Sequence, residues 1–346
     1  MRTDRRPQAL VTGGAGFLGS HVCESLLGEG YEVVCLDNFA TGFLHNIETL
    51  LAEPRFTLLN MDIAQGGPQA GDFDVVVHLA ASTSPFQYSA MPMDILRSGS
   101  EGIRHALETA RRCRARFVLA SSSHVYGDSG GNPQRENYLG SPRPIDSAHL
   151  QQTYDGSRFA EALTVAFRRT HHVDTGVVRI FNTYGPSMRL DDGGVVATFI
   201  QQALDGEPLT VTGDGSQTRS LCYVADTVEA ILRMATSLHP GPINVGSPDE
   251  VTILDLARQI TSLAGSSSTI RYVERCPADL QARRPDVTAA LGLLGWQPRV
   301  SLLDGLRRTL RGFRLARLSH DLSVPAARSP DEGGYPACAA GLPVEA

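Results

Sequence analysis

The stretch ALVTGGAGFLGSHV, residues 9–22, restricts the fold of this chain more than any other. An apolar run leads into it and a helical pattern leaves it. Gly14, Gly16 and Gly19 fit G-x-G-x-x-G, and Gly13 with Gly16 and Gly19 fits the variant with two-residue gaps. Such glycines let a backbone turn approach a pyrophosphate closely, while the following helix presents unpaired N–H groups to the anion. A glycine motif alone is a weak signal, but this one has the strand before it and the helix after it that the reading requires. Asp37 ends the next strand-like run, EVVCLD, roughly 20 residues on, where a carboxylate accepts from a ribose 2′-hydroxyl and repels a 2′-phosphate. Together they predict a dinucleotide site that takes NAD rather than NADP. Asp62, at the end of a third run, is a candidate for the adenine edge or an ordinary strand-end aspartate.

The alternation continues. QALVT, EVVCLD, FTLLNMD, FDVVVHLA, RFVLASS and DTGVVRIFN read as strands, and their near-continuous apolar character suits a parallel sheet covered on both faces. SHVCESLLGEG, SEGIRHALETARRC and YDGSRFAEALTVAFRRT read as the helices between them. Repeated βα units predict an α/β fold, a doubly wound parallel sheet of Rossmann type, over residues 1–185. After that the pattern mixes short strands and helices, predicting a smaller C-terminal α/β unit over 186–317, with residues ~218–238 returning to the first part. Residues 318–346, rich in Pro, Ala and Gly and without periodicity, predict a disordered tail.

Net charge is −6 over 346 residues, which gives no footprint for nucleic acid. No signal-peptide pattern and no bilayer-length apolar run is visible, so a cytoplasmic protein is expected. The six cysteines are scattered without metal-like spacing, read as small buried hydrophobes in a reducing compartment, and no metal is expected. No lysine occurs anywhere; all 31 basic residues other than histidine are arginines.

That absence bears on QQTYDGSR, residues 151–158. Tyr154 stands one helical turn before Arg158, so the two share a helix face. A phenol is a poor base at its ordinary pKa of about 10, and a fixed adjacent cation brings it toward the working range.

With LDNFATG, ARFVLASSSHVYGD, RIFNTYGPSMRLDDGGVV, GEPLTVTGDGSQTRS and ARRPDV, these residues resemble the extended short-chain dehydrogenases/reductases, in particular the UDP-glucuronic acid decarboxylases. The resemblance runs from about Ala9 to Phe313. It implies NAD contacts at Gly13, Gly16, Phe17, Leu18, Gly19, Asp37, Asn38, Phe39, Thr41, Gly42, Asp62, Ile63, Leu79, Ala80, Ala81, Tyr154 and Arg158. It implies a UDP-sugar held by Ser122, Asn182, Asp191, Gly193, Val195, Thr210, Val211, Arg219 and Arg283. It assigns the chemistry to Tyr154, Arg158, Ser122, Ser123, His124 and Arg283, in a cytoplasmic homodimer.

The implied reaction oxidises the sugar at C4, and the resulting β-keto acid loses carbon dioxide. The expected product is the 4-keto pentose nucleotide, the reduced pentose nucleotide, or both. Epimerisation at C4 of a uronic acid nucleotide, or binding without turnover, stay open. Loss of water is disfavoured, because the Asp-Glu pair of the family's dehydratases is missing. The chain departs from the decarboxylase pattern at several places. Arg158 replaces a lysine, His124 a glutamate, Ser187 an arginine that touches NAD, Asp94-Ile95 a lysine-threonine step, and Gly99 an asparagine.

Overall fold

The computed structural model describes residues 5–80, 91–127, 132–138, 150–190, 193–274 and 283–319; the side chains of 150–155 lie outside the description. Strands β1 (Gln8–Thr12), β2 (Glu32–Asp37), β3 (Phe56–Asn60), β4 (Val75–His78), β5 (Arg116–Ser122) and β6 (Thr175–Ile180) form one parallel sheet with the later β11 (Ile243–Val245). Its order is β11-β6-β5-β4-β1-β2-β3, the doubly wound arrangement whose crevice lies beyond the carboxyl ends of the strands. The central strands are apolar on both faces: Ala9, Leu10, Val11, Val76, Val77, Phe117 and Val118 are fully buried. This matches the continuous runs in the sequence, since helices cover both sides.

Helix α1 (Phe17–Gly28) follows β1; α2 (Pro92–Arg97) runs through a π turn at Ser98–Gly102 into α3 (Ile103–Cys113); α4 (Leu150–His171) links β5 to β6. A short β7 (Thr183–Tyr184) pairs with the later β10 (Cys222–Tyr223). Then come α5 (Val195–Asp205), β8 (Leu209–Thr212), β9 (Thr218–Ser220) and α6 (Val224–Thr236). After β11 follow β12 (Glu250–Thr252), α7 (Ile253–Ala264), β13 (Ile270–Val273), α8 (Thr288–Leu294) and α9 (Leu302–Ser319). β8 pairs with β13 in parallel, and β9 with β12 antiparallel.

Two expectations need correction. Ile243–Val245, read with the smaller unit, is the edge strand of the main sheet, where it pairs with β6 and covers that strand's edge. The first residues of the tail expected from 318 are helical: α9 continues to Ser319, anchored by buried Leu306, Leu310 and Phe313. Residues 320–346 lie outside the description.

Candidate active site

The glycine turn is built for close approach. Gly13 has φ 73°, and a Cβ there would stand 2.9 Å from the Leu79 carbonyl group and the Ala80 nitrogen. A Cβ on Gly19 would overlap the Gly13 carbonyl oxygen and stand 2.7 Å from the Gly14 Cα. The glycine turn and the first turn of the helix are therefore pressed together, and α1 opens at Gly16 with no side-chain cap. Its first N–H groups are left for an anion. Phe17 and Leu18 pack on the core from this first turn.

Asp37 sits at the end of β2, buried, and accepts from the backbone N–H of Ala15 and of Phe39, both at 2.9 Å. Burial raises its pKa, and those N–H donors oppose the rise. The loop after it is tightly folded: Asn38 accepts from the Ala40 N–H, Phe39 has φ 57°, and a Cβ on Gly42 would reach the Asp37 carboxylate at 3.0 Å. On the far side of β1, Leu79 donates its N–H to Thr12 O, and the Ala80 carbonyl accepts from Ser98 Oγ at 2.6 Å. Asp62 engages its own turn, accepting from the Ala64 N–H at 2.9 Å, and Ile63 is buried with its carbonyl against His105 Nδ1. Ala81 lies outside the described residues. A turn that no side chain can enter, an uncapped helix start and a buried carboxylate at the next strand end fit a dinucleotide.

The second half of the site grows from the end of β5. Ser122 Oγ is 2.7 Å from His124 Nδ1 and also receives the His124 backbone N–H. The tautomer of the ring decides which of the two donates across this contact. Burial, then the neighbouring Arg283 charge, push the His124 pKa down to about 3. The imidazole is therefore neutral at any working pH. Arg283 reaches Ser123 Oγ at 3.5 Å and the Gly127 carbonyl at 3.4 Å.

Helix α4 carries Arg158 to this turn, where its Nη1 donates to the Val125 carbonyl at 3.2 Å. The Tyr154 side chain lies outside the description. Asn182 follows β6 and is half-buried, its carbonyl accepting from Cys222 N–H. Gly193 (φ 71°) precedes Val195, the first residue of α5. Thr210 on β8 is held by Gln202, and Val211 is wholly inside the core, so its side chain faces no ligand. Arg219 on β9 is half-buried and donates to Thr218 O. Asp191 lies outside the described residues.

One largely buried group went unread in the sequence. Glu161, one turn beyond Arg158 on α4, accepts from Ser121 Oγ at 2.7 Å and from Arg179 Nε and Nη2 at 2.9 and 2.7 Å. Arg179 also donates to the Tyr126 hydroxyl and the Glu136 carbonyl, both at 3.0 Å, and its guanidinium lies over the Tyr126 ring. Burial disfavours that charge, but Glu161 outweighs it and keeps Arg179 protonated. The Tyr126 hydroxyl donates onward to Asn244 Oδ1 at 2.6 Å. Asn244 donates through Nδ2 to the carbonyls of Gln134 and Asp286. This chain of bonds ties α4, the β5 turn and the segment bearing Arg283 together. A carboxylate on the core-facing side of a helix was its one visible sign.

The model of the NAD dependent epimerase/dehydratase family matches residues 9–246. UDP-glucuronic acid decarboxylase 1 of Arabidopsis thaliana is 41% identical over 318 residues, covering 92% of this chain and 72% of its own length. UDP-glucuronic acid decarboxylase 1 of Danio rerio is 42% identical over 309 residues, covering 89% and 73%. Among solved structures, UDP-glucuronic acid 4-epimerase from Bacillus cereus, in complex with UDP-glucuronic acid and NAD, superposes with a TM-score of 0.78 at 28% identity over 89% of this chain and 99% of that one. The chain belongs to the NAD dependent epimerase/dehydratase family. The dinucleotide that its glycine turn and Asp37 fit is therefore NAD.

Proposed function

We propose that this protein decarboxylates UDP-glucuronic acid. The observation that carries the reading is the Arg283 guanidinium set against Ser123 at the end of β5, beside the Ser122–His124 pair. It joins the 41–42% identity to UDP-glucuronic acid decarboxylases across most of the chain. A fixed cation beside two hydroxyls suits a sugar that carries a carboxylate.

NAD, held by Gly13, Gly16, Gly19 and Asp37, supplies when bound an acceptor for the hydride of the sugar C4 and can return it. Tyr154 takes the C4 hydroxyl proton as the hydride leaves, and Arg158 keeps the phenolate within reach. A guanidinium keeps its charge throughout. Ser122 orients the C4 oxygen. The oxidised sugar is a β-keto acid: its C5–C6 bond breaks, carbon dioxide leaves, and the electron pair delocalises as an enolate onto the C4 oxygen. Arg283 faces the carboxylate first and the enolate afterwards. Protonation of the enolate at C5 by water gives the 4-keto pentose nucleotide; return of a hydride to C4, with Tyr154 giving its proton back to the C4 oxygen, would give the pentose nucleotide. Neutral His124 holds Ser122 in place and adds no negative charge to expel the carboxylate.

Asn182, Gly193, Val195, Thr210 and Arg219, with Asp191 and the backbone of Val211, would grip the UDP part, Arg219 at its phosphates. Residues 1–185 then serve mainly NAD and 186–317 mainly the sugar nucleotide. The protein acts in the cytoplasm as a homodimer. No helix among the described residues is long and apolar enough to cross a membrane. Exposed Met93 and Leu96 on α2 and Phe159 on α4 offer apolar surface to a second copy. Incubation of the purified protein with UDP-glucuronic acid, followed by mass spectrometry, tests the reading. Carbon dioxide and a pentose or 4-keto pentose nucleotide are expected. A six-carbon isomer would turn the reading to 4-epimerisation, and unaltered substrate would end it.

A further inference from the structure

Arg189, in the YGPSMRL stretch, has no part in the chemistry above. We infer that Arg189 is a positioning residue for cofactor retention, pinning the loop of residues 38–43 over the glycine turn at the adenosine end of the NAD site. The inference rests on NAD as the cofactor and not on decarboxylation.

The loop lies directly on the turn. Phe43 donates its N–H to the Ala15 carbonyl at 3.1 Å, and Asn46 Nδ2 donates to the same oxygen at 2.9 Å. A Cβ on Gly42 would stand 3.0 Å from the Ala15 carbonyl carbon. Phe39 holds a left-handed backbone, φ 57°, which a bulky side chain rarely adopts without support. The loop borders Asp37, the carboxylate that meets the ribose.

The segment bearing Arg189 is a firm base. The Pro186 carbonyl is 3.1 Å from His21 Nε2 on α1, and His21 packs edge-on against Phe17. A Cβ on Gly185 would press on Val224, and one on Gly312 would press on Pro186, so α6 and α9 close in around this stretch. Ser187, at φ 67°, kinks the chain between this anchor and Arg189.

From that base Arg189 reaches across. Nη1 donates to the Thr41 carbonyl at 3.0 Å, and the guanidinium lies 4.6 Å from the centre of the Phe43 ring, which stacks in turn on His45. A planar guanidinium can bond a carbonyl at its edge and cover a ring with its face at once, which an ammonium cannot. One side chain thus grips the loop at two points, two and four residues beyond Phe39. This chain has Ser187 directly after YGP and sets its guanidinium two residues later.

The test is release of bound NADH from the full-length protein, followed by stopped-flow fluorescence after mixing with excess NAD⁺. Arg189→Ala should speed release about five- to thirty-fold, the loss of one hydrogen bond and one ring contact. Arg189→Lys, keeping the charge, should fall between that variant and the parent. Phe43→Leu should speed release less than Arg189→Ala, and the double variant should fall short of the product of the two, because the pair acts as a unit. Melting temperatures should stay within about 2 °C of the parent, as expected for partly exposed contacts. Release at the parental rate from Arg189→Ala would overturn the inference. So would faster release that tracks a lower melting temperature in all three single variants, since a general loosening would then explain it.

Discussion

Glu161→Gln isolates what the buried pair beneath the active site contributes. The two side chains of the Glu161–Arg179 pair are only 16% and 11% exposed, so water screens the pair weakly. Removing one partner of such a pair leaves the other charge buried and costs about 3–5 kcal/mol. Glutamine keeps one acceptor oxygen for Ser121 or Arg179, which sets the expectation near the lower figure. At roughly 2–4 °C per kcal/mol for a domain of this size, the melting temperature should fall by about 6–12 °C. Activity should fall too. Glu161 lies one turn from Arg158, and a shift of about 1 Å at a catalytic group can cost on the order of a hundredfold in rate. Glu161→Leu combined with Arg179→Met separates the two effects. An apolar replacement of both partners should recover most of the lost stability while kcat stays low, because nothing then sets the register of α4 against the β5 turn. Differential scanning fluorimetry and steady-state turnover of UDP-glucuronic acid read both quantities. Single-variant melting within about 2 °C of the parent with unchanged kcat, or recovery of both properties in the double variant, would refute the positional role.

Gly19→Ala should abolish retention of NAD through purification, because its Cβ would overlap the Gly13 carbonyl oxygen; the nucleotide released on denaturation measures it. Tyr154→Phe should cut C4 oxidation by about 10²–10⁴-fold, and Arg158→Met should cut it similarly while Arg158→Lys keeps most of the rate; absorbance of reduced nicotinamide on adding UDP-glucuronic acid follows both. Stability should fall in acid. His78, pushed down to about 4 by burial, and His124, pushed down to about 3 by burial and Arg283, stay neutral in the fold while the unfolded chain takes up protons below about pH 6.5. Their contribution is complete above that pH and is lost on acidification at up to about 1.4 kcal/mol per pH unit for each histidine. His78→Asn should make this slope shallower in urea melts between pH 6.5 and 4, at the expense of the 2.7 Å bond to Thr12 Oγ1.

Much of the fold was legible because its signals are local. The glycine turn, Asp37 and the apolar strands each announce themselves within a few residues, and the sheet has the order that such βα units dictate. Ile243–Val245 was misassigned because three apolar residues carry no mark of the sheet they join; the choice is made by the open edge of β6, more than sixty residues earlier. The Ser122–His124 bond was within reach of the sequence, since the residues are two apart, but the neutrality of the ring was not. It depends on burial and on Arg283, which comes from the other end of the chain. Glu161–Arg179 and Arg189–Phe43 were illegible for the same reason. Each is a contact between distant segments, and neither residue type is unusual where it stands.

The absence of lysine gives these arginines a common consequence. Arg158, Arg179, Arg189 and Arg283 each hold a backbone carbonyl or a hydroxyl at the β5 turn or the cofactor loop. A lysine in such a place can lose its proton when buried, and so can act as an acid or a base; a guanidinium cannot. The charge around the reacting carbons is thus constant with pH, and His124 is already neutral. Proton traffic is left to the Tyr154 phenol, the serine hydroxyls and water. The pH dependence of C4 oxidation should then follow one deprotonation, that of Tyr154, with no second limb from His124 above pH 5. A bell-shaped profile with an alkaline limb that vanishes in His124→Gln would show that the reaction needs a protonated imidazole, and would contradict the neutral ring that burial and Arg283 impose.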